Sequence, residues 1–142
     1  MKPDIRVYTD GSGTTKDKPG GYGYVITVDG KFELEDLGYI PKATNNVAEL
    51  TAAVRGLKKA EPLLTKYPDA HITLVSDSKL VLGYASGEYK IKAMHLWPLY
   101  IELRQLHDKF KITCEWVKGH SGDVNNERCD VLAKAGRLGE SI

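Results

Sequence analysis

The sequence is poor in cysteine and in long apolar runs. Its only cysteines, Cys114 and Cys129, are too few for a disulfide framework and lack metal-ligand spacing. No apolar stretch approaches the ~18 residues that a membrane span needs. Residues 1–4 lead into a strand pattern rather than a signal peptide. We therefore expect reduced thiols and a cytoplasmic protein with no membrane contact.

An excess of charge of one sign is also missing. The chain has 20 Lys and Arg against 19 Asp and Glu, a net charge of +1, so its overall charge argues neither for nor against a nucleic-acid partner. The length of 142 residues predicts a single domain spanning residues 1–142. The pattern shows no exposed apolar patch, so a monomer is the expectation.

Hydrophobic periodicity predicts alternating strands and helices. The predicted strands cover residues 5–9, 21–28, 31–40, 72–75 and 112–117, and the predicted helices cover 46–60, 78–85, 96–110 and 126–137. Asp29-Gly30 between the second and third strands predicts a tight hairpin turn. This order predicts an α/β fold. Its five-stranded mixed sheet would combine three antiparallel strands with parallel strands and be flanked by helices.

Four carboxylates fall where strands end or helices begin. Asp10 ends the first strand and Asp77 ends the fourth. A strand–helix–strand connection normally makes its strands parallel, which would place both aspartates at one edge of the sheet, where α/β folds bind ligands. Glu49 lies in the first turn of the connecting helix, and Asp130 in the first two turns of the last helix.

Each carboxylate also has a purely structural explanation. Asn46 with Glu49 matches a capping box, Asp77 is a natural helix N-cap, and Asp130 complements a helix dipole. Taken singly, these explanations are favoured. Taken together they explain less, because capping does not require the two strand-end aspartates to share an edge.

His120 lies in a loop bracketed by Gly119 and Gly122, directly after the last strand. Glycines allow such a loop to move, and a histidine exchanges protons near neutral pH. A surface histidine without a role is the alternative.

These motifs together resemble ribonuclease H of type 1. The matching segments are residues 9–12, 45–50, 76–78 and 119–133, and the match covers essentially the whole chain. The resemblance implies the ribonuclease H-like fold. It also implies that Asp10, Glu49, Asp77 and Asp130 bind two Mg²⁺ ions, with Mn²⁺ as a possible substitute. His120 matches a mobile histidine that assists proton transfer and product release.

The resemblance further implies an endonuclease that cuts the RNA strand of RNA–DNA hybrids and leaves 5′-phosphate and 3′-hydroxyl ends. The residues that match substrate-binding positions are Gly11, Ser12, Thr44, Asn45, Lys79 and Asn126. Asn45 and Asn126 match minor-groove contacts, although either could instead cap a helix. Thr44 matches a pocket for a DNA phosphate. Lys79 stands where glutamine is common, so it either contacts phosphate or weakens minor-groove reading.

The chain departs from some members of that family between residues 85 and 94, which have room for a loop but not for an extra basic helix. Lys90 and Lys92 lie in this loop, and weaker, less salt-dependent hybrid binding is expected. Three other functions remain open: cleavage of branched DNA, as in relatives with the same fold; a silent hybrid-binding module; and cleavage of double-stranded RNA.

Overall fold

The structure, a computed structural model, describes residues 2–140; Met1, Ser141 and Ile142, which belong to the predicted 1–142 domain, lie outside the described residues. The strands are β1 (Asp4–Ser12), β2 (Gly20–Val28), β3 (Lys31–Ile40), β4 (His71–Ser76) and β5 (Thr113–Trp116). The helices are α1 (Asn45–Ala60), α2 (Leu63–Lys66), α3 (Lys79–Ser86), α4 (Trp97–Phe110) and α5 (Val124–Leu138).

The strands form one mixed sheet in the order β3-β2-β1-β4-β5. The pairs β1/β2 and β2/β3 are antiparallel, whereas β1/β4 and β4/β5 are parallel. Asp29 and Gly30 have φ values of 51° and 81°, both positive, as a type I′ hairpin turn requires. The predicted five-stranded mixed sheet is confirmed.

Helices pack on both faces of the sheet. The larger core joins one face to α1, α3 and α4 through residues such as Ile26, Leu57, Leu74, Val81 and Leu103. The smaller core on the other face comprises Tyr8, Val25, Val75, Cys129 and Leu132. Because α5 supplies Cys129 and Leu132, the second face is closed by the same helix that carries Asp130. Within residues 2–140, no helix is long and apolar enough to cross a membrane.

The start of α1 differs from the predicted capping. Thr44 is the N-cap, and its hydroxyl accepts a hydrogen bond from the Val47 N–H at 3.2 Å. The prediction that Asn46 caps this helix is wrong, because the helix begins one residue earlier and Asn46 lies inside its first turn. Asn45 is the first helical residue, so the capping alternative is wrong for it too. Glu49 is therefore free of the capping box.

The starts of α3 and α5 also differ from the predicted capping. Ser78 caps α3, so the N-cap alternative for Asp77 is wrong. Asp123 caps α5 by accepting the Asn126 N–H at 2.8 Å, and Asn126 is not a cap. The last helix begins at Val124, two residues before the predicted start, because Asp123 supplies the cap. These helices are capped by other side chains, which leaves Asp77 and Asn126 available to the site.

One further local feature differs from the sequence prediction. The short helix α2 was not predicted, since Pro62 and Pro68 indicated only the end of α1. Trp97, at the start of α4, is 42% exposed and stacks on Tyr100. The predicted loop between α3 and α4 is confirmed.

Glycines allow α5 to lie directly on β2 and β3. A Cβ atom at Gly21 would lie 2.1 Å from the backbone nitrogen of Arg137 and 2.3 Å from the carbonyl oxygen of Ala133. A Cβ at Gly136 would lie 2.3 Å from the carbonyl oxygen of Gly38. Backbone atoms cannot rotate aside as a side chain can. The distance between α5 and the sheet is therefore fixed by main-chain contacts.

We expect Gly21→Ala to lower the free energy of unfolding by about 2–3 kcal/mol, the upper part of the usual cost of overpacking. Gly56→Ala is the matched control, because its added methyl would meet only side-chain carbons of Val7, Thr9 and Tyr24. Alanine is also favoured inside a helix. Urea denaturation measures both variants. Equal losses of unfolding free energy in the two variants would contradict the conclusion that main-chain contacts fix the position of α5 on the sheet.

Candidate active site

The ends of β1 and β4 bring Asp10 and Asp77 to one edge of the sheet. Thr9 pairs with Ser76 in the parallel register, and each aspartate directly follows one of these residues. This is the juxtaposition that the strand–helix–strand order predicts.

Glu49 reaches the same edge from α1 through Gly11. The Gly11 N–H donates hydrogen bonds to Asp10 Oδ1, at 2.9 Å, and to Glu49 Oε1. A Cβ at Gly11 would lie 2.3 Å from the Ala48 carbonyl carbon and from the Glu49 nitrogen. The end of β1 therefore touches the backbone of α1, and only glycine fits there.

One oxygen from each of Asp10, Glu49 and Asp77 lies within 4.8 Å of the other two. We call these residues the three-carboxylate group. Asp10 and Glu49 are only 7% and 6% exposed. Burial, partly offset by a hydrogen bond with Glu49, raises the pKa of Asp10 from 3.8 to about 6. Burial and the hydrogen bond with Asp10 also raise the pKa of Glu49.

The donor set of the three-carboxylate group suits a divalent cation. Carboxylate oxygens are the ligands that hard ions such as Mg²⁺ and Mn²⁺ prefer. A cation would also offset the repulsion between buried carboxylates. The group can therefore hold a metal ion.

Asp130, the fourth predicted carboxylate, is outside the three-carboxylate group. Its Oδ2 lies 3.0 Å from the Nζ of Lys134, one turn further along α5. Asp130 is nevertheless a neighbour of the group, because its charge adds to burial in raising the pKa of both Asp10 and Asp77.

Asp77 is half-buried and has two further partners. Burial raises its pKa, whereas a hydrogen bond with the Asn126 side chain and the charge of His120 lower it. Asn126 is only 4% exposed, so this partner of Asp77 is buried rather than at the surface. Its predicted contact with substrate stays a prediction.

His120 is exposed and has a φ of 54°, in the left-handed region that few non-glycine residues adopt. Ser121 closes this turn by donating from its hydroxyl to the Lys118 carbonyl oxygen. The charge of His120 lowers the pKa of Asp77, so the two side chains are near each other. The loop therefore lies on the same side of the sheet as the carboxylates.

Trp116 and Gly119 support Asp77, and sequence reasoning missed the part each plays. The Trp116 indole N–H donates to the Asp77 carbonyl oxygen at 3.1 Å, and Lys79 Nζ lies 4.6 Å from the centre of the indole ring system. A Cβ at Gly119 would lie 3.1 Å from Asp77 Oδ2. The available sequence signal was a tryptophan at the end of the last strand, just before the glycine–histidine loop.

The other predicted substrate-binding residues border the group on the α1 side. Asn45 Oδ1 accepts the Gly13 N–H at 3.3 Å, and its Nδ2 has no hydrogen-bond partner among residues 2–140. Gly11 and Ser12 end β1 and pair with Tyr22 and Gly21. Thr44 caps α1, and its predicted contact with a DNA phosphate stays a prediction.

Comparison with known proteins identifies the class and the family. The model of the family described as RNase H matches residues 2–137. A ribonuclease H of Gluconobacter oxydans is 35% identical over 144 residues, covering 96% of this chain and 93% of its own. The ribonuclease HI of a Campylobacter jejuni strain is 34% identical, covering 94% and 91%.

Solved structures agree with these sequence relatives. The N-terminal RNase H domain of a Mycobacterium tuberculosis protein has a TM-score of 0.82 at 30% identity, covering 96% of this chain and 94% of its own. LC11-RNase H1 in complex with an RNA/DNA hybrid has a TM-score of 0.83 at 27% identity, covering 95% and 97%. The named relatives and the three-carboxylate group together define the class: an RNA-hydrolysing enzyme with an acidic cluster that can hold a metal ion. The chain belongs to the ribonuclease H family.

In the metal-free protein, Asp10→Asn should raise the free energy of unfolding at pH 7 by about 1–3 kcal/mol, because it removes a buried charge. The pKa of Asp10 is higher in the folded than in the unfolded chain. The contribution of Asp10 to the free energy of unfolding is therefore most favourable below pH 3.8 and is lost as the pH rises through about 6. The variant should lose less stability than wild type between pH 5 and pH 7, measured by thermal unfolding with a chelator.

Asp36→Asn is the matched control for this experiment. Asp36 also accepts the N–H of the following residue, at 2.8 Å, but it is exposed on β3. The free energy of unfolding of Asp36→Asn should equal that of wild type. An equal gain in both variants would exclude charge crowding at the site as the cause.

Proposed function

We propose that the protein is an endonuclease that hydrolyses the RNA strand of RNA–DNA hybrids and leaves 5′-phosphate and 3′-hydroxyl ends. The observation that carries this proposal is the three-carboxylate group at the carboxyl ends of β1 and β4, in a chain of the ribonuclease H family. The likeness to LC11-RNase H1, whose structure contains an RNA/DNA hybrid, supports the choice of substrate.

Asp10, Glu49, Asp77 and Asp130 are the residues that would hold two Mg²⁺ ions, with Mn²⁺ as a substitute. When bound, the metal pair supplies Lewis-acid chemistry that makes water nucleophilic and stabilises the leaving 3′ oxygen. Without a cation, burial and their mutual contact raise the pKa of both Asp10 and Glu49, which favours a proton on the pair. Metal binding therefore has to displace that proton, and affinity should increase with pH.

His120 acts as the mobile acid–base group of the site. It is exposed, and its charge acts on Asp77, so it can exchange protons with substrate and solvent at the same edge. Its loop is bounded by Gly119, which has no side chain to displace Asp77, and by Gly122, which has a φ of 92°.

Substrate selection depends on residues beside the carboxylates. Asn45, with an unpaired Nδ2 donor among the described residues, would read the minor groove, where the 2′-hydroxyl distinguishes RNA from DNA. Thr44 would contact a DNA phosphate. Lys79 Nζ lies over the ring of Trp116, which donates to the Asp77 carbonyl oxygen, and would contact a phosphate on this side of the site. Gly11, Ser12 and Asn126 complete the proposed surface.

Residues 1–142 would act as one catalytic domain and as a monomer. With a net charge of +1, hybrid binding depends on local contacts, including Lys90 and Lys92 in the loop before α4. Cleavage of double-stranded RNA is the second candidate function.

The decisive assay uses one labelled RNA strand, presented alone, paired to DNA and paired to RNA, with Mg²⁺ or with a chelator. We expect metal-dependent cutting of the hybrid alone. Asp10→Asn and Asp77→Asn should each lower the rate by at least about 100-fold, whereas Asp36→Asn should match wild type. His120→Ala should slow turnover by on the order of 100-fold without abolishing it.

Cutting of the RNA duplex as well would establish the second candidate function. Unchanged Mg²⁺-dependent turnover in Asp10→Asn would refute the assignment of the site. An unaffected rate in His120→Ala would remove His120 from the mechanism.

Asn45→Asp tests how the 2′-hydroxyl is read. The substitution keeps the oxygen that accepts the Gly13 N–H but replaces the amide donor with a negative charge. We expect hybrid affinity to fall by about tenfold or more, the loss of a hydrogen bond near phosphates, with little change in melting temperature. Fluorescence anisotropy with a labelled hybrid in Ca²⁺ measures affinity. Equal binding by wild type and Asn45→Asp would exclude this contact.

A further inference from the structure

The fourth carboxylate of the site already has a cation. Lys134 Nζ lies 3.0 Å from Asp130 Oδ2, and the side chains are 54% and 30% exposed. Asp130 is also the one member of the proposed metal-binding set outside the three-carboxylate group. The ammonium group therefore lies beside a carboxylate whose negative charge also acts on Asp10 and Asp77.

An ion pair between residues i and i+4 on an exposed helix is usually a minor contribution to stability. This pair differs from the others on the surface in what surrounds it. Lys109 pairs with Glu61 at 3.0 Å and Lys58 with Glu102 at 2.8 Å, both between α1 or its end and α4. Among residues 2–140, Lys134 is the one lysine or arginine that forms an ion pair with a carboxylate of the proposed site.

The backbone restricts how this pair can respond. Main-chain contacts at Gly21 and Gly136 seat α5 on the sheet, so Asp130 can approach the three-carboxylate group only by rotating its side chain. Rotation that turns Asp130 Oδ2 toward the group acts against its contact with Lys134 Nζ, one turn further along α5.

We propose that Lys134 is a positioning residue that holds Asp130 apart from the three-carboxylate group until a divalent cation replaces the ammonium group. The inference rests on the proposed function, since it concerns the same metal-binding carboxylates. Lys134 thereby weakens binding of the metal ion that uses Asp130 and sets the metal concentration at which the enzyme becomes active.

The test compares Lys134→Gln with wild type in a Mn²⁺ titration of the full chain, with the free ion followed by its electron paramagnetic resonance signal. Losing the competing ammonium group should lower the apparent Kd by about two- to fivefold, the range that an exposed ion pair can account for. The Mg²⁺ concentration that gives half-maximal hybrid cleavage should fall by the same factor. Lys134→Arg keeps the charge and should resemble wild type.

Two controls make the result specific. Lys109→Gln removes a lysine with the same separation from a carboxylate and a similar exposure, 60%, at a distance from the site; its Mn²⁺ isotherm should not change. In an Asp130→Asn background, Lys134→Gln should have no further effect on the isotherm, because the paired carboxylate is gone.

An Mn²⁺ isotherm and an Mg²⁺ dependence both unchanged in Lys134→Gln would overturn the inference, as would weaker metal binding. Either result with wild-type cleavage intact leaves the proposed function standing. If wild type binds no Mn²⁺ and cuts no hybrid, the proposed function itself fails.

Discussion

The contact between the end of β1 and the first turns of α1 is the constraint on which the site depends. At Gly11 the two backbones are so close that no side chain fits, and one N–H serves both Asp10 and Glu49. These carboxylates come from a strand and a helix that are separated by two further strands. Because residue 11 is a glycine, the contact between β1 and α1 also brings Asp10 and Glu49 together into one acidic site.

The site is held together against its own electrostatics. Burial of Asp10 and Glu49 raises the pKa of both, and the charge of Asp77 adds to this effect. The sheet hydrogen bonds and the seating of α5 overcome that repulsion because they act over whole elements, whereas the repulsion is confined to a few side chains. The free energy stored in crowding these carboxylates becomes available as affinity when a cation binds.

Much of this architecture can be predicted from the sequence. Periodicity predicted the strands, and the crossover rule predicted that Asp10 and Asp77 share an edge, because both depend on local pattern and chain topology. Helix caps were misassigned at Asn46 and Asp77, since a one-residue shift in a helix start depends on tertiary packing. Likewise, neither the pairing of Asp130 with Lys134 nor the bond from Trp116 to Asp77 follows from spacing alone, because each requires a side-chain rotamer.

The complete burial of Cys129 makes the closing helix observable by chemistry. Its thiol lies in the smaller core, one residue before Asp130, whereas Cys114 on β5 is partly accessible. A thiol reagent can reach Cys129 only when α5 separates from the sheet, so its labelling rate counts openings of that helix. Cys114 in the same molecule reports reagent access without such an opening. Comparison of the two labelling rates thus measures how often α5 separates from the sheet, the movement that would disrupt the active site.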